Sequence, residues 1–193
     1  AILVHFSTDY VFPGKSADRI IYPKGYPEDA ARKPVNIYGE SKLAGELELE
    51  KSDAEWLLIR VSWLCSPFGK NFVNTMIRLG SVKNKLSVVE DQIGSPTYTF
   101  DVVAKTRKLL GRGKRGTFHV SSEGAISWAD FAEEIFHITE MNVEVERVPS
   151  SEYPTDAERP AFSLLSTEKI RTVGLSPREW KEGLKQLIEL RGQ

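Results

Sequence analysis

Apolar positions along the chain follow two kinds of pattern. Short runs stand at residues 1–6 ("AILVHF"), 56–59 ("WLLI") and 86–89 ("LSVV"). Runs of this length without polar alternation predict strands covered on both faces, as in parallel sheets. Between them the period changes. In "NIYGESKLAGELELEK", Ile37, Ala44 and Leu47 recur at helical spacing with Leu43 beside them. Asn71 begins a second helix, with Phe72, Met76 and Leu79 on one stripe, and Asp101 precedes a third, carrying Val102, Val103, Thr106, Leu109 and Leu110. Strand, helix, strand, helix, strand in that order predicts parallel βαβ units and an α/β fold.

Beyond residue 116 the texture shifts. "GTFHVSS" reads as a short strand, and Ser127 is placed to cap "WADFAEEIFHI", with Asp130 returning the hydrogen bond. "VEVERV" alternates, which predicts a half-exposed strand. Residues 149–160 read as a loop, and so does the Pro-, Gly- and charge-rich stretch 13–34. Ser166 opens a short helix. Ser176, Pro177 and Glu179 read as a capping box with Pro at the first helical position of the last helix. The chain thus divides into residues 1–115, a parallel-sheet part, and 116–193, a small α+β unit to which parts of 64–100 contribute.

Composition narrows the function classes. A chain of 193 residues can bury a sizeable core, and a formal charge of −1 gives no general attraction to nucleic acid or to anionic membranes. The basic stretch "KTRKLLGRGKR" (105–115) reads as a solvated helix end and its loop. Cys65 is the single cysteine, so no internal disulfide can form; it reads as a packing residue in a reducing compartment. His5, His119 and His137 are far apart and read as packing residues, so no metal site is expected. No run of 18 apolar residues occurs and no signal peptide is recognisable, which makes the cytoplasm the expected compartment.

Two stretches carry chemistry. In "YGESK", Tyr38 and Lys42 stand four apart and share a helix face. A phenol is ordinarily too weak an acid near neutrality, with a pKa of about 10, but a neighbouring ammonium favours its ionised form. Such a pair can give a proton to a carbonyl oxygen or take one from an alcohol. The spacing also arises by chance, so it gains weight only from its surroundings. In open α/β sheets ligands bind beyond the carboxyl ends of the strands. There the first strand delivers Ser7, Thr8 and Asp9, and the second delivers Ser62 and Trp63. A hydroxyl at that rim can hold a carbonyl against Tyr38, and the indole offers a flat face to a sugar or a base.

"STDYVFPG", "NIYGESKLAGE", "RVSWL", "NFVNTMIRL", "VVEDQIGSPTY" and "ERPAFSLLS" together resemble the dTDP-4-dehydrorhamnose reductase family of the extended short-chain dehydrogenase/reductases. The resemblance runs in order over essentially the whole chain. It implies the C-terminal part of a Rossmann-type parallel sheet with a small α+β substrate-binding unit. It also implies transfer of hydride from NADPH, or NADH, to the C4 ketone of a dTDP-sugar, giving dTDP-L-rhamnose. By motif, Tyr38 matches the proton donor, Lys42 its electrostatic partner and a ligand of the nicotinamide ribose, and Thr8 the hydroxyl that polarises the ketone. Asp9 and Trp63 match sugar-nucleotide contacts, Asn71 a position near the diphosphate, and Ser62 one near the nicotinamide. Asp91, Gln92 and Thr97 fall in a loop expected to shape the pocket. Some family members dimerise; a homodimer enters only through the resemblance. Epimerases share the Tyr–Lys pair, so another sugar-nucleotide reductase or epimerase is the neighbouring reading, and a non-catalytic regulatory subunit is the reading of a different class.

The sequence departs from the family pattern twice. No G-x-x-G-x-x-G turn occurs, although the family's pyrophosphate-binding turn requires one. The expectation is therefore a fragment that starts at the strand bearing the catalytic Thr, leaves that strand as an unpaired apolar edge, and binds NADPH feebly on its own. The second departure is a longer loop between Thr8 and Tyr38, with an insert around "KSADRIIYPKGY" expected to border the pocket.

Overall fold

The structure is a computed structural model that describes residues 1–153 and 155–192. In chain order its elements are β1 (Ile2–Thr8), α1 (Asp18–Ile21), α2 (Ile37–Lys51), β2 (Glu55–Val61), β3 (Leu64–Cys65), α3 (Phe72–Gly80), β4 (Lys85–Val89), β5 (Ile93–Gly94), β6 (Thr97–Tyr98) and α4 (Thr99–Gly111). There follow β7 (Gly116–His119), β8 (Ile126–Ser127), α5 (Trp128–Ile138), β9 (Glu144–Val148), α6 (Glu168–Thr172) and α7 (Trp180–Arg191). Pro154, inside the loop predicted over 149–160, lies outside the described residues.

The main sheet is parallel, in the order β1-β2-β7. Its register sets Thr8 against Val61 and Arg60 against His119, so the carboxyl ends of β1 and β2 finish level. Successive side chains of β2 point to opposite faces. Leu57 and Ile59 join a core with Val102, Leu109, Phe118, Val120 and Ile170, while Arg60 on the other face meets α2.

A second core binds α3, α5, α7 and β4, with Val73, Ile77, Leu86, Phe131, Ile135 and Leu184 among its members. The capping box read at Ser127 is present: its Oγ accepts from Asp130 N at 3.0 Å, and Asp130 Oδ2 accepts from Ser127 N at 2.8 Å.

Several expectations need correction. The strand predicted at 86–89 forms but leaves the main sheet; β4 pairs in parallel with β9, and the third strand of the main sheet is β7. β7, from beyond residue 115, covers β2's second edge. The run 1–6 is not covered on both faces: β1 pairs only with β2 among the described residues, and Leu3 and Phe6 are 51% and 45% exposed. The stripe Ile37, Ala44, Leu47 of α2 faces outward, and the helix instead buries Gly39, Glu46 and Leu49. Val103 of α4 is likewise exposed.

Lys105 does not belong to a solvated helix end. It is buried near Asp101, and burial lowers its pKa. The last helix is capped by Glu179 itself, whose carboxylate accepts from Lys181 N and Glu182 N, so Ser176 and Pro177 lie ahead of the cap. The stretch 13–34 is only partly a free loop. Tyr26 is wholly buried beside Phe12 and Phe162, its backbone bonds Leu164 and Ser166, and its hydroxyl donates to Asp18 Oδ2.

Candidate functional site

The rim of the main sheet is built by local chemistry. Thr8 ends β1 in an extended conformation and caps a single 3-10 turn, Asp9–Val11. Its Oγ1 accepts from Tyr10 N at 3.3 Å and donates to Asp9 Oδ1 at 2.8 Å. Asp9 is buried, and burial pushes its carboxyl up to about 7 against the hydrogen bond from Thr8. Its Oδ2 has no hydrogen-bond partner among the described residues. Burial, and then the charge of Asp9, also raises the Tyr10 phenol.

Asn36 starts α2 by accepting from Gly39 N at 2.8 Å, and its Nδ2 donates to Glu158 O. Gly39 is required by close approach: a Cβ there would stand 2.3 Å from Tyr10 O. The helix can therefore lie against the turn that follows Thr8. Tyr38 is 54% exposed, with its ring edge-on to Tyr10 at 5.5 Å. One turn on, Lys42 Nζ donates to Phe6 O at 2.6 Å, which brings a positive charge to the end of β1.

Beyond β2 the chain turns sharply at Trp63, whose φ of 43° lies in the left-handed region rare for bulky residues. Ser62 is buried; its Oγ donates to Ser95 O at 2.7 Å and lies 3.2 Å from Ser121 Oγ. Trp63 Nε1 donates to Ser163 Oγ at 3.1 Å. Its ring stacks on Trp128, with centroids 3.5 Å apart and planes 11° from parallel. Gly94 packs against the same indole, where a Cβ would fall 2.7 Å from Trp63 Cε2.

These groups line one cleft of about 430 Å³ at the carboxyl rim, which brings together Thr8, Asp9, Tyr38, Ser62 and Trp63. Lys42 stands just outside the lining. Asn71 is elsewhere: it caps α3, accepting from Asn74 N at 3.1 Å and donating to Ser66 O at 2.8 Å. Trp63 and Trp128, stacked on each other, both line the cleft. The insert around 15–26 lines a separate hollow beside Lys33 and Val35, not this cleft. Cys65 is a buried packing residue whose thiol burial pushes up to about 12.

Sequence reasoning missed Tyr10, Asn36, Trp128 and Arg159, which also line the cleft. Arg159 stands within "ERPAFSLLS", and Trp128 was legible only as the first residue of a capped helix. Both continue into an adjoining cleft of about 390 Å³ walled by Phe72, Met76, Val88 and Tyr153. Gln92 also lines this second cleft, whereas Asp91 accepts from Ser150 N and Oγ and Thr97 is buried under Ser62.

A parallel sheet with a Tyr-x-x-x-Lys helix against its first strand, and a polar cleft at the carboxyl rim, defines a Rossmann-type α/β protein. The chain belongs to the family described as RmlD substrate binding domain, which matches residues 1–191. It is 40% identical over 188 residues to the spore coat polysaccharide biosynthesis protein SpsK of Bacillus subtilis (strain 168), covering 97% of this chain and 64% of that protein. It is 37% identical over 198 residues to the dTDP-4-dehydrorhamnose reductase of Sinorhizobium fredii, covering 96% of this chain and 65% of that protein. The crystal structure of a dTDP-4-dehydrorhamnose reductase from Bacillus anthracis in complex with NADP superposes with a TM-score of 0.92 at 43% identity, covering 98% of this chain and 66% of that one. The chain thus spans 64–65% of the length of these curated relatives. Among the described residues no helix is long and apolar enough to cross a membrane.

Proposed function

We propose that the intact enzyme reduces the C4 ketone of a dTDP-4-dehydro sugar with NADPH, and that this chain carries the proton-donating and substrate-binding residues. The observation that supports it most is the gathering of Thr8, Asp9 and Tyr38 in one cleft, with Lys42 a helical turn from Tyr38.

When bound, NADPH supplies the hydride. Tyr38 stands with its ring exposed at the rim, where its hydroxyl gives a proton to the ketone oxygen as negative charge develops there. Lys42 places a cation beneath the same edge, where it favours that charge and can hold the cofactor's ribose. Ser62 lines the far side of the cleft. Thr8 and Asp9 act as one unit, in which the hydroxyl is held by the carboxyl at the wall of the cleft. The adjoining aromatic cleft suits a nucleobase, and Arg159, between the two clefts, suits a diphosphate. The residues present fit the nicotinamide end of the cofactor; the glycine-rich turn that would cradle its pyrophosphate is not among these 193 residues.

Two measurements test the reading. In the intact enzyme, Tyr38→Phe should lower turnover of the ketone sugar nucleotide roughly 10²–10⁴-fold. Unchanged turnover would favour a non-catalytic binding subunit instead. Calorimetric titration of the 193-residue chain with NADPH should show no micromolar binding. A cytoplasmic homodimer completes the proposal, and sedimentation of the intact enzyme reads its assembly.

A further inference from the structure

Helix α2 has a weak apolar grip on this chain. Ile37, Ala44 and Leu47 face outward, and its wholly buried side chain is an acid, Glu46. Glu46 stands one turn beyond Lys42 and two turns beyond Tyr38, so the three share a face. It is met by Arg60, the largest fully buried side chain of the chain's described residues, on the strand that ends at the cleft with Ser62.

The Arg60 guanidinium makes a fork. Nε donates to Glu46 Oε1 at 2.9 Å and Nη2 to Glu46 Oε2 at 2.7 Å. Nη1 donates to Glu28 O at 2.8 Å and lies 3.3 Å from His119 Nε2. A guanidinium only donates, so His119 Nε2 must accept and the ring is neutral, with its proton on Nδ1. Burial, and then the charge of Arg60, hold His119 well below its ordinary pKa, in agreement. Arg32 adds a third donor to Glu46 at 3.0 Å and pairs with Glu50 farther along the helix. A bidentate pair fixes angle and register, which a greasy contact does not.

We propose, resting on the reduction described above, that Arg60 is a positioning residue: through Glu46 it sets the rotation and height of α2, and with them the places of Tyr38 and Lys42 against the rim. The rim residue Ser62 lies two positions on, just past the end of β2, so one side chain references both halves of the reacting geometry to each other.

The test separates positioning from mere stability. Replacing a buried ion pair by apolar residues of similar volume is often neutral or stabilising. In the intact enzyme, however, the pair Arg60→Met with Glu46→Leu leaves Glu28 O and His119 Nε2 without their donor, so the thermal midpoint should drop by several degrees with the fold kept, while kcat falls at least tenfold and KM for the sugar nucleotide stays within twofold; a misplacement of about 1 Å can cost 10²-fold in rate. Amide hydrogen exchange at residues 39–42 should quicken in the same variant, a readout that needs no turnover. Arg60→Lys, which keeps the charge without the fork, should lower kcat severalfold and serves if the double variant does not fold. Wild-type kcat in a folded double variant, or in Arg60→Lys, overturns the proposal, as does a loss confined to KM. If the unaltered enzyme fails to reduce the ketone, the activity reading falls, and the exchange measurement still decides whether Arg60 orders α2.

Discussion

Glu46 and Asp9 are both buried acids, and their surroundings treat them in opposite ways. Burial alone would raise the Glu46 carboxyl, but hydrogen bonds and charge from Arg60, with help from Arg32, more than reverse this and leave it below the ordinary glutamate range. Asp9 faces no such cation. Burial dominates, its neutral donors offset only part, and the carboxyl rises to about 7. A buried carboxylate whose lone pairs are met by guanidinium forks holds a structure together. One left with a buried, unpaired oxygen beside a cleft is instead costly to ionise, which is why its carboxyl stays protonated to higher pH.

The sharpest way to break this comparison is to remove one partner on each side. Glu46→Ala strands the buried Arg60 and should cost about 3–5 kcal/mol of stability in the intact enzyme. Asp9→Asn keeps the shape and removes a group that is costly to ionise, so stability at neutral pH should hold or rise. Chemical denaturation of both variants reads the difference, and equal losses would end the distinction.

Acidity sharpens it further. Asp9 has a folded-state pKa raised from 3.8 to about 7, so between those values the unfolded chain releases its proton first. Stability should fall as pH rises from about 4 to about 7, then level off. At about 1.4 kcal/mol per pH unit, the whole effect is of order 4 kcal/mol. Asp9→Asn should abolish that slope. Glu46 works in the opposite sense: its contribution is complete above its unfolded value of 4.5 and is lost as pH drops through the lowered folded value. A pH series of denaturation midpoints for wild type and Asp9→Asn separates the two acids, and a slope surviving the substitution would assign it to another group.

The same contrast shows what could be read from sequence. Thr8, Asp9, Tyr38, Ser62 and Trp63 were legible because a strand's carboxyl end and a four-residue helix spacing are local facts. The inward face of α2 was not. Its pattern points Ile37, Ala44 and Leu47 at the core, yet the buried positions are a glycine, an acid and Leu49, and Glu46 is buried only because Arg60 meets it from another element. β4 was legible as a strand but not as a partner of β9, since pairing across more than fifty residues leaves no mark in either segment. Trp128 and Arg159 escaped for that reason too: each reaches the cleft from an element distant in sequence. Asn71 stands at the helix N-terminus its sequence suggested, with its side chain holding the cap.

The smallest effect lies at the other wall of the cleft, where the chemistry was local and fully legible. Ser127 and Asp130 cap α5 reciprocally, and the next residue, Trp128, lies flat on Trp63. Ser127→Ala removes one acceptor and leaves Asp130 bonded to Ser127 N and paired with Arg147 at 2.7 Å. A lost serine cap costs about 1 kcal/mol, which for a protein of this size lowers the thermal midpoint by about 2–4 °C. Trp128 lines the Tyr38 cleft from a different helix, α5, so loosening that helix should weaken substrate binding without touching proton donation. The expected signature in the intact enzyme is a KM for the sugar nucleotide raised a few-fold at unchanged kcat. Were kcat to fall instead with KM constant, the aromatic wall would be coupled to the reacting rim, and the division of labour between the two sides of the cleft would have to be redrawn.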